Sequence, residues 1–411
     1  MSKHSLINAF SDNADADYEI RTVLGGAYSG AADVGEVLAA VESVKGKDHR
    51  GWFEAWLALG DRIAADADAA HGKGHAASAS GAYLRASGYY AVAVNAASAL
   101  DSENELLTTF RKHRAAWDGF VDTTAQARVE RVAIPYEGAT LPGYVFRPRE
   151  ASASTPLLIG TNGSDGSLTS MWTSCAFGAL QRGYTVLLYD GPGQQSMLFE
   201  QKTTFRPDWE AVLTPVLDFA LGLDGVDARR TAVYGISQGG YWVPRALAFE
   251  HRFAAAIADP GVVDVSASWT SHLPKSMLEL IDKGENEKFD KDMVLGLKFQ
   301  PQNAVTWAFR ARPYGALGYA ETIEEVLTYD LEKVAQQITT PLLITSPEGE
   351  QFWPGQSERL AKLTQDVSAL VPFTAAEGAD LHCQPLARAL TDERMFDWLD
   401  ERFAQVGPED S

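Results

Sequence analysis

Apolar side chains recur every three to four residues through much of the stretch from residue 14 to residue 120, which is the spacing of amphipathic helices. Two examples are Trp52, Trp56, Leu59 and Ile63, and further on Leu106, Phe110, His113, Trp117 and Phe120. A breaker segment at residues 71–80 lies between them, and an apolar helical segment with Tyr83 and Tyr90 follows it. We therefore predict an all-helical N-terminal domain over residues 1–125.

After residue 125 the spacing changes to that of β-strands. Residues 129–135 and 141–147 alternate between apolar and polar positions on either side of a turn. Helical segments, one of them starting at Pro207, then alternate with short apolar runs at residues 156–161, 184–190, 230–235, 254–259 and 341–346. Such runs suit strands that are buried on both faces, with the helices as crossovers. The pattern predicts an α/β fold with a doubly wound, mostly parallel sheet over residues 126–411.

A long insertion separates two of the predicted strands. Residues 260–340 have a mostly helical pattern that contains Trp269, Trp307 and Tyr314. A segment of this length is too long for a loop inside a compact domain. We therefore predict a helical lid inserted into the α/β domain.

The charge of the 411-residue chain narrows the classes of partner. The chain has 35 basic and 55 acidic residues and a formal net charge of −20, while its hydrophobic content of 45% is ordinary. A field of this sign repels phosphate backbones and anionic lipids, so we expect a small-molecule substrate, with no nucleic acid and no membrane as partner. The N-terminus lacks a signal-peptide pattern and no run approaches about 20 apolar residues, so we expect a cytoplasmic protein.

The sequence contains no motif for a metal or a redox cofactor. Cys175 and Cys383 are the only cysteines, which excludes a disulfide framework and a cysteine-based zinc site. Residues 191–196 begin like a dinucleotide-binding fingerprint but lack its third glycine. Neither a phosphate-binding loop of the GxxxxGK[ST] type nor an HExxH motif is present. We expect no cofactor and no metal.

The segment GISQG at residues 235–239 is the main candidate for chemistry because it matches G-x-S-x-G. The match alone is weak, but here it follows a predicted strand and precedes a predicted helix, as a nucleophile elbow requires. In that setting Ser237 lies on a strained turn, and Gly235 and Gly239 let the strand and the helix approach each other. We predict Ser237 as a nucleophile; the alternative is a serine that caps a helix.

A serine hydroxyl needs a base to take its proton, and in this fold the acid and then the histidine follow the serine along the chain. Three histidines follow Ser237. His251 ends a helix in a polar stretch and His272 falls in the predicted lid. His382 lies on a loop between the last predicted strand and the last predicted helix, so we predict it as the base; the alternative is a structural loop histidine.

The acidic partner of the histidine is expected after the strand at residues 341–346. Glu348 and Glu350 both lie there, and Glu350 stands four residues before Pro354, the usual offset for the acid in such chains. We favour Glu350, with Glu348 as the second choice and Asp259, at the end of the preceding strand, as the third.

A tetrahedral intermediate needs two backbone N–H groups that face its oxyanion. We expect one from Gln238, which follows the nucleophile. The other is expected from the loop after the strand at residues 156–161, where Asn162, Gly163 and Ser164 are candidates and Ser164 is preferred on position. The alternative is an ordinary strand-to-helix turn.

The elbow, the segment YDGPGQ at residues 189–194 and the helical stretch at residues 49–90 resemble the α/β-hydrolases that carry an all-helical N-terminal domain. That family includes 2,6-dihydroxypseudooxynicotine hydrolase and the fungal pigment-pathway hydrolases that shorten polyketide chains. The resemblance covers nearly the whole chain. It implies Ser237 as nucleophile, His382 as base, an acid at residues 348–350 and a pocket between the N-terminal helices and the sheet.

Members of this family cleave carbon–carbon bonds next to a ketone, so the resemblance makes that reaction an expectation here. The chain departs from the family at Gln195, where a glycine usually follows DGPGQ. It also lacks the extra glutamate that the nicotine-pathway enzyme carries after the strand following the elbow. Asp264 and His272 are the candidates to replace that glutamate.

These residues together predict a serine hydrolase that forms an acyl-enzyme on a carbonyl substrate. Aromatic side chains expected near the pocket favour a mid-sized apolar or aromatic molecule; they are Trp52, Trp56, Tyr83, Trp172, Trp269, Phe352 and Trp353. A carboxylesterase or lactonase and an acyltransferase or cyclase would use the same residues. A non-catalytic small-molecule receptor on a retired hydrolase fold is the alternative of a different class, and a homodimer through apolar helix faces stays open.

Overall fold

The structure is a computed structural model that describes residues 10–42, 44, 48–100, 102–150, 154–315 and 317–406. Residues 1–9 of the predicted N-terminal domain, and the acidic tail from residue 407 onward, lie outside the described residues.

The N-terminal part of the described chain is helical, as its apolar spacing predicts. Its helices are α1 (Ala14–Gly25), α2 (Val34–Val41), α3 (His49–Gly72), α4 (Ala76–Ser98) and α5 (Glu103–Thr123). The side chains of Asn13 and Ser102 accept hydrogen bonds from first-turn N–H groups that have no partner inside α1 and α5. The apolar faces of α3, α4 and α5 meet in a core that contains Trp56, Tyr89 and Phe110. Among the helices that the structure describes, none is long and apolar enough to cross a bilayer.

One eight-stranded sheet forms the second part of the molecule, in the strand order β1-β2-β4-β3-β5-β6-β7-β8. The strands are β1 (Ala127–Tyr136), β2 (Ala139–Pro148), β3 (Thr155–Thr161), β4 (Thr185–Tyr189), β5 (Val226–Ile236), β6 (Ala255–Asp259), β7 (Leu342–Pro347) and β8 (Ser368–Phe373). The pairs β1–β2 and β2–β4 are antiparallel and the other five pairs are parallel. Because β4, β6 and β7 are buried at every residue, they need apolar side chains on both faces.

Helices cover both faces of this sheet. The helices that connect its strands or follow them are α6 (Leu168–Met171), α7 (Phe177–Gln181), α8 (Gln195–Phe199), α9 (Glu210–Leu221), α10 (Gly239–Leu247), α16 (Gln356–Leu363) and α17 (Arg388–Ala404). On one face Trp209 and Trp242 stack with ring centroids 4.4 Å apart, and on the other Met395 and Phe396 of α17 are buried. The predicted doubly wound, mostly parallel α/β fold is therefore confirmed. The helix expected from Pro207 begins at Glu210 instead, with Trp209 as its N-cap residue.

Between β6 and β7, the residues that the structure describes form five α-helices. They are α11 (Ala267–Thr270), α12 (Lys275–Asp282), α13 (Asn286–Lys298), α14 (Pro301–Ala311) and α15 (Tyr319–Val326). A 3₁₀ turn at Arg312–Tyr314 joins the last two of them. The lid is held on the sheet by buried residues that include Phe289, Tyr314 and Ile323.

The carboxyl ends of the parallel strands meet at one edge of the sheet. These ends are Thr161 of β3, Ile236 of β5, Asp259 of β6 and Pro347 of β7. Loops that follow this edge are where ligands bind in open α/β sheets. All the residues predicted for chemistry follow one of these strand ends or lie on the loop before α17.

Candidate active site

Ser237 lies on the sharp turn between β5 and α10. Its φ angle is +56°, a conformation that side-chain-bearing residues rarely adopt. The surroundings hold this turn, because the backbone N–H of Ser237 donates to the carbonyl of Asp259 at 2.7 Å and its carbonyl accepts from Gly240 at 2.8 Å. The turn therefore presents the hydroxyl at the edge of the sheet, as a nucleophile elbow does.

Two glycines flank the turn where strand and helix come close. A Cβ atom on Gly235 would lie 2.2 Å from the carbonyl oxygen of Gly239. A Cβ atom on Gly239 would lie 2.9 Å from the carbonyl oxygen of Thr161. Only hydrogen fits at either position, which accounts for both outer glycines of the motif.

His382 lies on the loop before α17, and both of its ring nitrogens have partners. The Nε2 atom is 2.9 Å from the Oγ of Ser237, and the Nδ1 atom is 2.8 Å from an oxygen of Glu350. The side chains of His382 and Glu350 are 4% and 6% exposed, so water competes little for these hydrogen bonds. The loop is fixed at its backbone, since the His382 N–H donates to the Gln351 side chain and the His382 carbonyl accepts from the Tyr18 hydroxyl.

Glu350 is held as a carboxylate on the turn after β7. Burial acts to raise its pKa, but the charge and the hydrogen bond of His382 oppose this and the net pKa lies below the ordinary value. Its second oxygen accepts from the backbone N–H groups of Phe352 at 2.9 Å and Trp353 at 3.2 Å. The carboxylate therefore has a fixed position from which it can stabilise a protonated imidazole.

The two other acids that the sequence offers have different partners. An oxygen of Glu348 accepts from the backbone N–H of Ala375 at 2.9 Å, on the exposed side of the loop. Asp259 is fully buried, and its oxygens accept from the hydroxyls of Tyr234 at 2.7 Å and Thr345 at 2.6 Å. The structure therefore brings Glu350, the first choice, to His382.

The loop after β3 lies directly against the nucleophile. A Cβ atom on Gly163 would lie 2.8 Å from the Cβ of Ser237, so the backbone of this loop borders the hydroxyl. The N–H of Gly163 donates to the side chain of Asn162 at 2.8 Å and is not free for a ligand. Within the described residues, the backbone N–H groups of Gln238 and Ser164 have no hydrogen-bond acceptor.

The side chain of Gln194 fixes this loop, a role that the sequence analysis missed. Its Nε2 group donates to the carbonyls of Asn162 at 2.8 Å and Gly163 at 3.1 Å, and its oxygen accepts from the N–H of Gly191 at 2.9 Å. Gln194 is 2% exposed and ends the DGPGQ segment. The DGPGQ segment was the signal that could have indicated this role, but the sequence analysis used it only as evidence of the family resemblance.

The region in front of Ser237 that Asp165, Glu19 and Arg310 border is here called the chamber. Desolvation by the neighbouring residues raises the pKa of Asp165, on the loop after β3, although part of its surface is accessible to water. The charges of His382 and Arg310 act on Asp165, and that of Asp165 on Glu19, so these side chains lie near one another.

Four of the aromatic residues expected near the pocket lie at the chamber. The ring of Trp353 is 5.7 Å from the ring of His382 between centroids, and Phe352 is closer, at 4.8 Å. Trp269 packs against Tyr314, whose hydroxyl donates to the side chain of Gln238 at 3.3 Å. The indole N–H of Trp52 donates to the carboxyl of Glu19 at 2.9 Å.

For Trp56, Tyr83 and Trp172 the pocket prediction is wrong. Trp56 and Trp172 are fully buried, the first in the core of the N-terminal helices and the second between those helices and the sheet. Tyr83 packs against Gly119 and donates its hydroxyl to Asp68 on the outside. Their apolar surface is needed for helix packing, which a helical spacing pattern does not distinguish from pocket lining.

Comparisons with known proteins show which family this chain resembles. The model of the prolyl oligopeptidase family matches residues 173–294. Hydrolase acrC of Aspergillus aculeatus is 32% identical over 417 residues, which cover 94% of this chain and 96% of that protein. Hydrolase LUC6 of a Fusarium species is 30% identical over 412 residues, with the same coverage of 94% and 96%.

The chain belongs to the α/β-hydrolase family. Among solved structures, 2,6-dihydroxy-pseudo-oxynicotine hydrolase is similar with a TM-score of 0.68 and 18% identity, over 93% of this chain and 96% of that one. The likeness in fold therefore extends over the N-terminal helices as well as the sheet.

Asp264 and His272, the two candidates to replace the glutamate of the nicotine-pathway enzyme, form no hydrogen bond with Ser237 among the described residues of this α/β-hydrolase. Asp264 accepts hydrogen bonds from the N–H and the hydroxyl of Ser266 at 2.9 and 2.6 Å. His272 is exposed on the lid. Polar residues that do reach the chamber, Glu19 and Arg310, lie far from the elbow in sequence, and no motif marks them.

Proposed function

We propose that this α/β-hydrolase is a serine hydrolase that acts through an acyl-enzyme at Ser237. The observation that carries the proposal is the continuous hydrogen-bond chain from the Ser237 hydroxyl through His382 to Glu350, with lengths of 2.9 and 2.8 Å. A base within hydrogen-bond reach of the nucleophile, itself oriented by a third group, is the arrangement that activates a serine.

In the first half of the reaction, the Oγ of Ser237 attacks the substrate carbonyl carbon while its proton passes to the Nε2 of His382. Glu350 stabilises the resulting imidazolium. The N–H groups of Gln238 and Ser164 donate to the oxyanion of the tetrahedral intermediate, with Gly163 replaced in that role because its own N–H is bound to Asn162. The intermediate then expels the leaving group, which takes the proton from Nε2.

In the second half, a water molecule attacks the acyl carbon and gives a proton to the Nε2 of His382. The second tetrahedral intermediate uses the same N–H donors. Its collapse breaks the bond to Ser237, returns the proton from His382 to Oγ, and releases the carboxylic acid. Ser237 and His382 are then ready for another cycle.

Hydrolysis of a carbon–carbon bond next to a ketone is our proposal for the natural reaction. The similar structure is named a 2,6-dihydroxy-pseudo-oxynicotine hydrolase, and the likeness covers nearly the whole of both chains. A carbon leaving group must depart as an enolate, so the substrate needs a β-keto or vinylogous arrangement that delocalises the charge. The aromatic side chains at the chamber favour a mid-sized apolar or aromatic molecule.

A fluorophosphonate probe tests the serine chemistry directly, because it labels a serine only when a base activates it. We expect one adduct per chain in the wild type and none in Ser237→Ala. Ser78→Ala, which changes an exposed serine on α4, serves as the control and should label normally. No adduct on folded wild-type protein would contradict the proposal.

The type of bond cleaved needs a separate comparison of substrates. Aryl esters and aryl β-diketones of matched size should be incubated with wild type and with Ser237→Ala, and the released acids and ketones measured. We expect Ser237-dependent cleavage of the β-diketones. Turnover of esters alone would favour a carboxylesterase, and ester products formed in water–alcohol mixtures would favour an acyltransferase.

A further inference from the structure

Arg310 brings a cation from the lid into the chamber. It lies near the end of α14, and its guanidinium lies over the ring of Trp269 at 4.5 Å from the centroid. The guanidinium donates to the carbonyl and the hydroxyl of Ser268 at 3.3 and 2.8 Å. An aromatic ring on one side and a buried serine on the other hold the group in one orientation.

Arg310, which is half-buried, has no ion pair with an acidic side chain among the described residues, unlike Arg114 and Arg388. Arg114 forms an ion pair with Asp190, and the guanidinium of Arg388 lies 3.7 Å from the carboxyl of Asp259. In both cases the acidic groups nearby outweigh burial and raise the pKa of the arginine. For Arg310 burial dominates and lowers the pKa. A partly desolvated cation without a bound anion is stabilised when another molecule supplies the negative charge.

The position of Arg310 relates it to the reacting groups. The ring of Trp269 contacts the Arg310 guanidinium and also the ring of Tyr314, at 5.7 Å between the two ring centroids. The Tyr314 hydroxyl donates to the side chain of Gln238. Arg310 is thus linked to the elbow residue Gln238 through the rings of Trp269 and Tyr314. The charges of Arg310 and His382 both act on Asp165, so the guanidinium and the proposed base lie near the same carboxylate.

We infer that Arg310 is the binding site for a negatively charged oxygen, a carboxylate or an enolate, at the end of the substrate remote from the bond cleaved. The inference deepens the proposed function, on which it rests, by assigning an acidic substrate. The guanidinium has five N–H donors and uses two of them on Ser268, so donors remain for a substrate oxygen. Charge-assisted bonds of this type are strong in a desolvated site.

Acidic groups also lie near Arg310, so the competing outcome is a site that prefers a cationic substrate. The charges of Asp165 and Asp15 raise the pKa of Arg310, but neither side chain forms an ion pair with it. Glu19 is uncharged while it is protonated, and burial raises its pKa to about 8. If these acids dominated recognition, a cationic substrate would bind better than an anionic one. Probes that differ only in the charge at one end therefore decide between the two.

A binding measurement separates this inference from catalysis. Ser237→Ala protein, which cannot form an acyl-enzyme, should be titrated with aryl half-esters of glutaric, suberic and sebacic acid, and with their neutral methyl-capped and ammonium-ended counterparts. We expect the carboxylate of one chain length to bind at least tenfold more tightly than its neutral and cationic counterparts. Equal affinity for the three, or a preference for the ammonium, would overturn the inference.

Variants of Arg310 complete the test in the same Ser237→Ala background. Arg310→Met keeps an apolar side chain over Trp269 but removes the charge, and should weaken the carboxylate probe about tenfold to a hundredfold with little change for the neutral probe. Arg310→Lys should recover part of the loss. Arg312→Met is the matched control, because Arg312 lies on the same lid but pairs with Glu103 at the surface.

Turnover distinguishes a failure of this inference from a failure of the proposed function. With Ser237 intact, the carboxylate-ended ester should show a KM increase in Arg310→Met at nearly constant kcat. Charge-selective binding without any turnover would leave the anion site standing and reject the serine hydrolase. Turnover that is indifferent to Arg310 and to probe charge would reject the anion site alone.

Discussion

Glu348 and Glu350 have the same side chain and stand two residues apart, yet the backbone around them gives them different partners. Glu350 accepts two backbone hydrogen bonds that aim it at His382, while Glu348 turns outward to the N–H of Ala375. A pattern of residue types does not separate two such neighbours. Their roles follow from the direction in which the turn after β7 leaves the sheet.

These two residues give a matched pair of variants. Glu350→Gln should lower kcat by about a thousandfold or more, because a neutral amide no longer stabilises the His382 imidazolium. Glu348→Gln should change kcat by less than about threefold, as expected for an exposed side chain away from the reacting groups. Steady-state kinetics on an aryl ester measure both, and losses of equal size would place the acid elsewhere.

Glu19 is a second residue whose surroundings, not its type, set its behaviour. Burial raises its pKa from 4.5 to about 8, against the opposing hydrogen bond from Trp52. The folded protein therefore keeps this proton while the unfolded chain has lost it, and stability falls as the pH rises from 4.5 to about 8.

Glu19→Gln removes this titration and keeps an acceptor for Trp52. The free energy of unfolding of the variant, relative to wild type, should therefore rise through that pH window and level off above about 8. Urea unfolding at a series of pH values measures the difference. Glu54→Gln, at an exposed position of α3, is the control, and an identical pH dependence in wild type and Glu19→Gln would contradict the prediction.

At the scale of elements, the loop between β4 and α8 supports the loop that follows β3. Through Gln194 it holds the backbone at Asn162 and Gly163, next to Ser237. The amide of Gln194 thereby connects the DGPGQ segment with the loop that offers the proposed second oxyanion donor. Its influence on the reaction is through position, since it touches no reacting atom.

Gln194→Leu should therefore lower kcat about tenfold to a hundredfold while KM changes little, because the oxyanion is stabilised in the transition state and not in the bound substrate. Gln194→Glu keeps the acceptor for Gly191 but loses the Nε2 donor, and should show the same pattern. Gln201→Leu, at an exposed position after α8, is the control. A loss confined to KM would argue against this positioning role.

At the scale of the whole molecule, the N-terminal helices are tied to the sheet by polar as well as apolar contacts. Arg114 of α5 forms an ion pair with Asp190, which is 2% exposed at its side chain and follows β4. Asp190 also accepts from the N–H and the hydroxyl of Ser196. Loss of the arginine would leave a buried carboxylate without its counter-charge.

Arg114→Met should lower the free energy of unfolding by about 3 kcal/mol, since breaking one side of a buried ion pair leaves the other charge desolvated. Lys202→Met breaks the exposed ion pair with Glu103, which also links the N-terminal helices to the sheet domain. This change should lower the free energy of unfolding by less than about 1 kcal/mol. Urea denaturation of both variants measures the difference. Equal effects would mean that Arg114 is effectively solvated.

Much of this molecule follows from local patterns in the chain. The two-residue and 3.6-residue spacings predicted the order of strands and helices, and the strand–turn–helix setting of GISQG marked Ser237. The order of serine, acid and histidine also reduced the choice of base to His382, which the structure places beside Ser237. The spacings and the elbow depend on neighbours in sequence and the choice of base on the order of residues along the chain, which is why the sequence determined them.

Tertiary structure alone decided which side chains share the space in front of Ser237. Trp56 and Trp52 lie one helical turn apart, yet the first is buried in the core and the second donates to Glu19 at the chamber. Arg310 comes from the lid and Glu19 from the first helix, and only the packing of those elements brings them to one site. Long-range packing sets burial and charge environment, and a periodic pattern records neither.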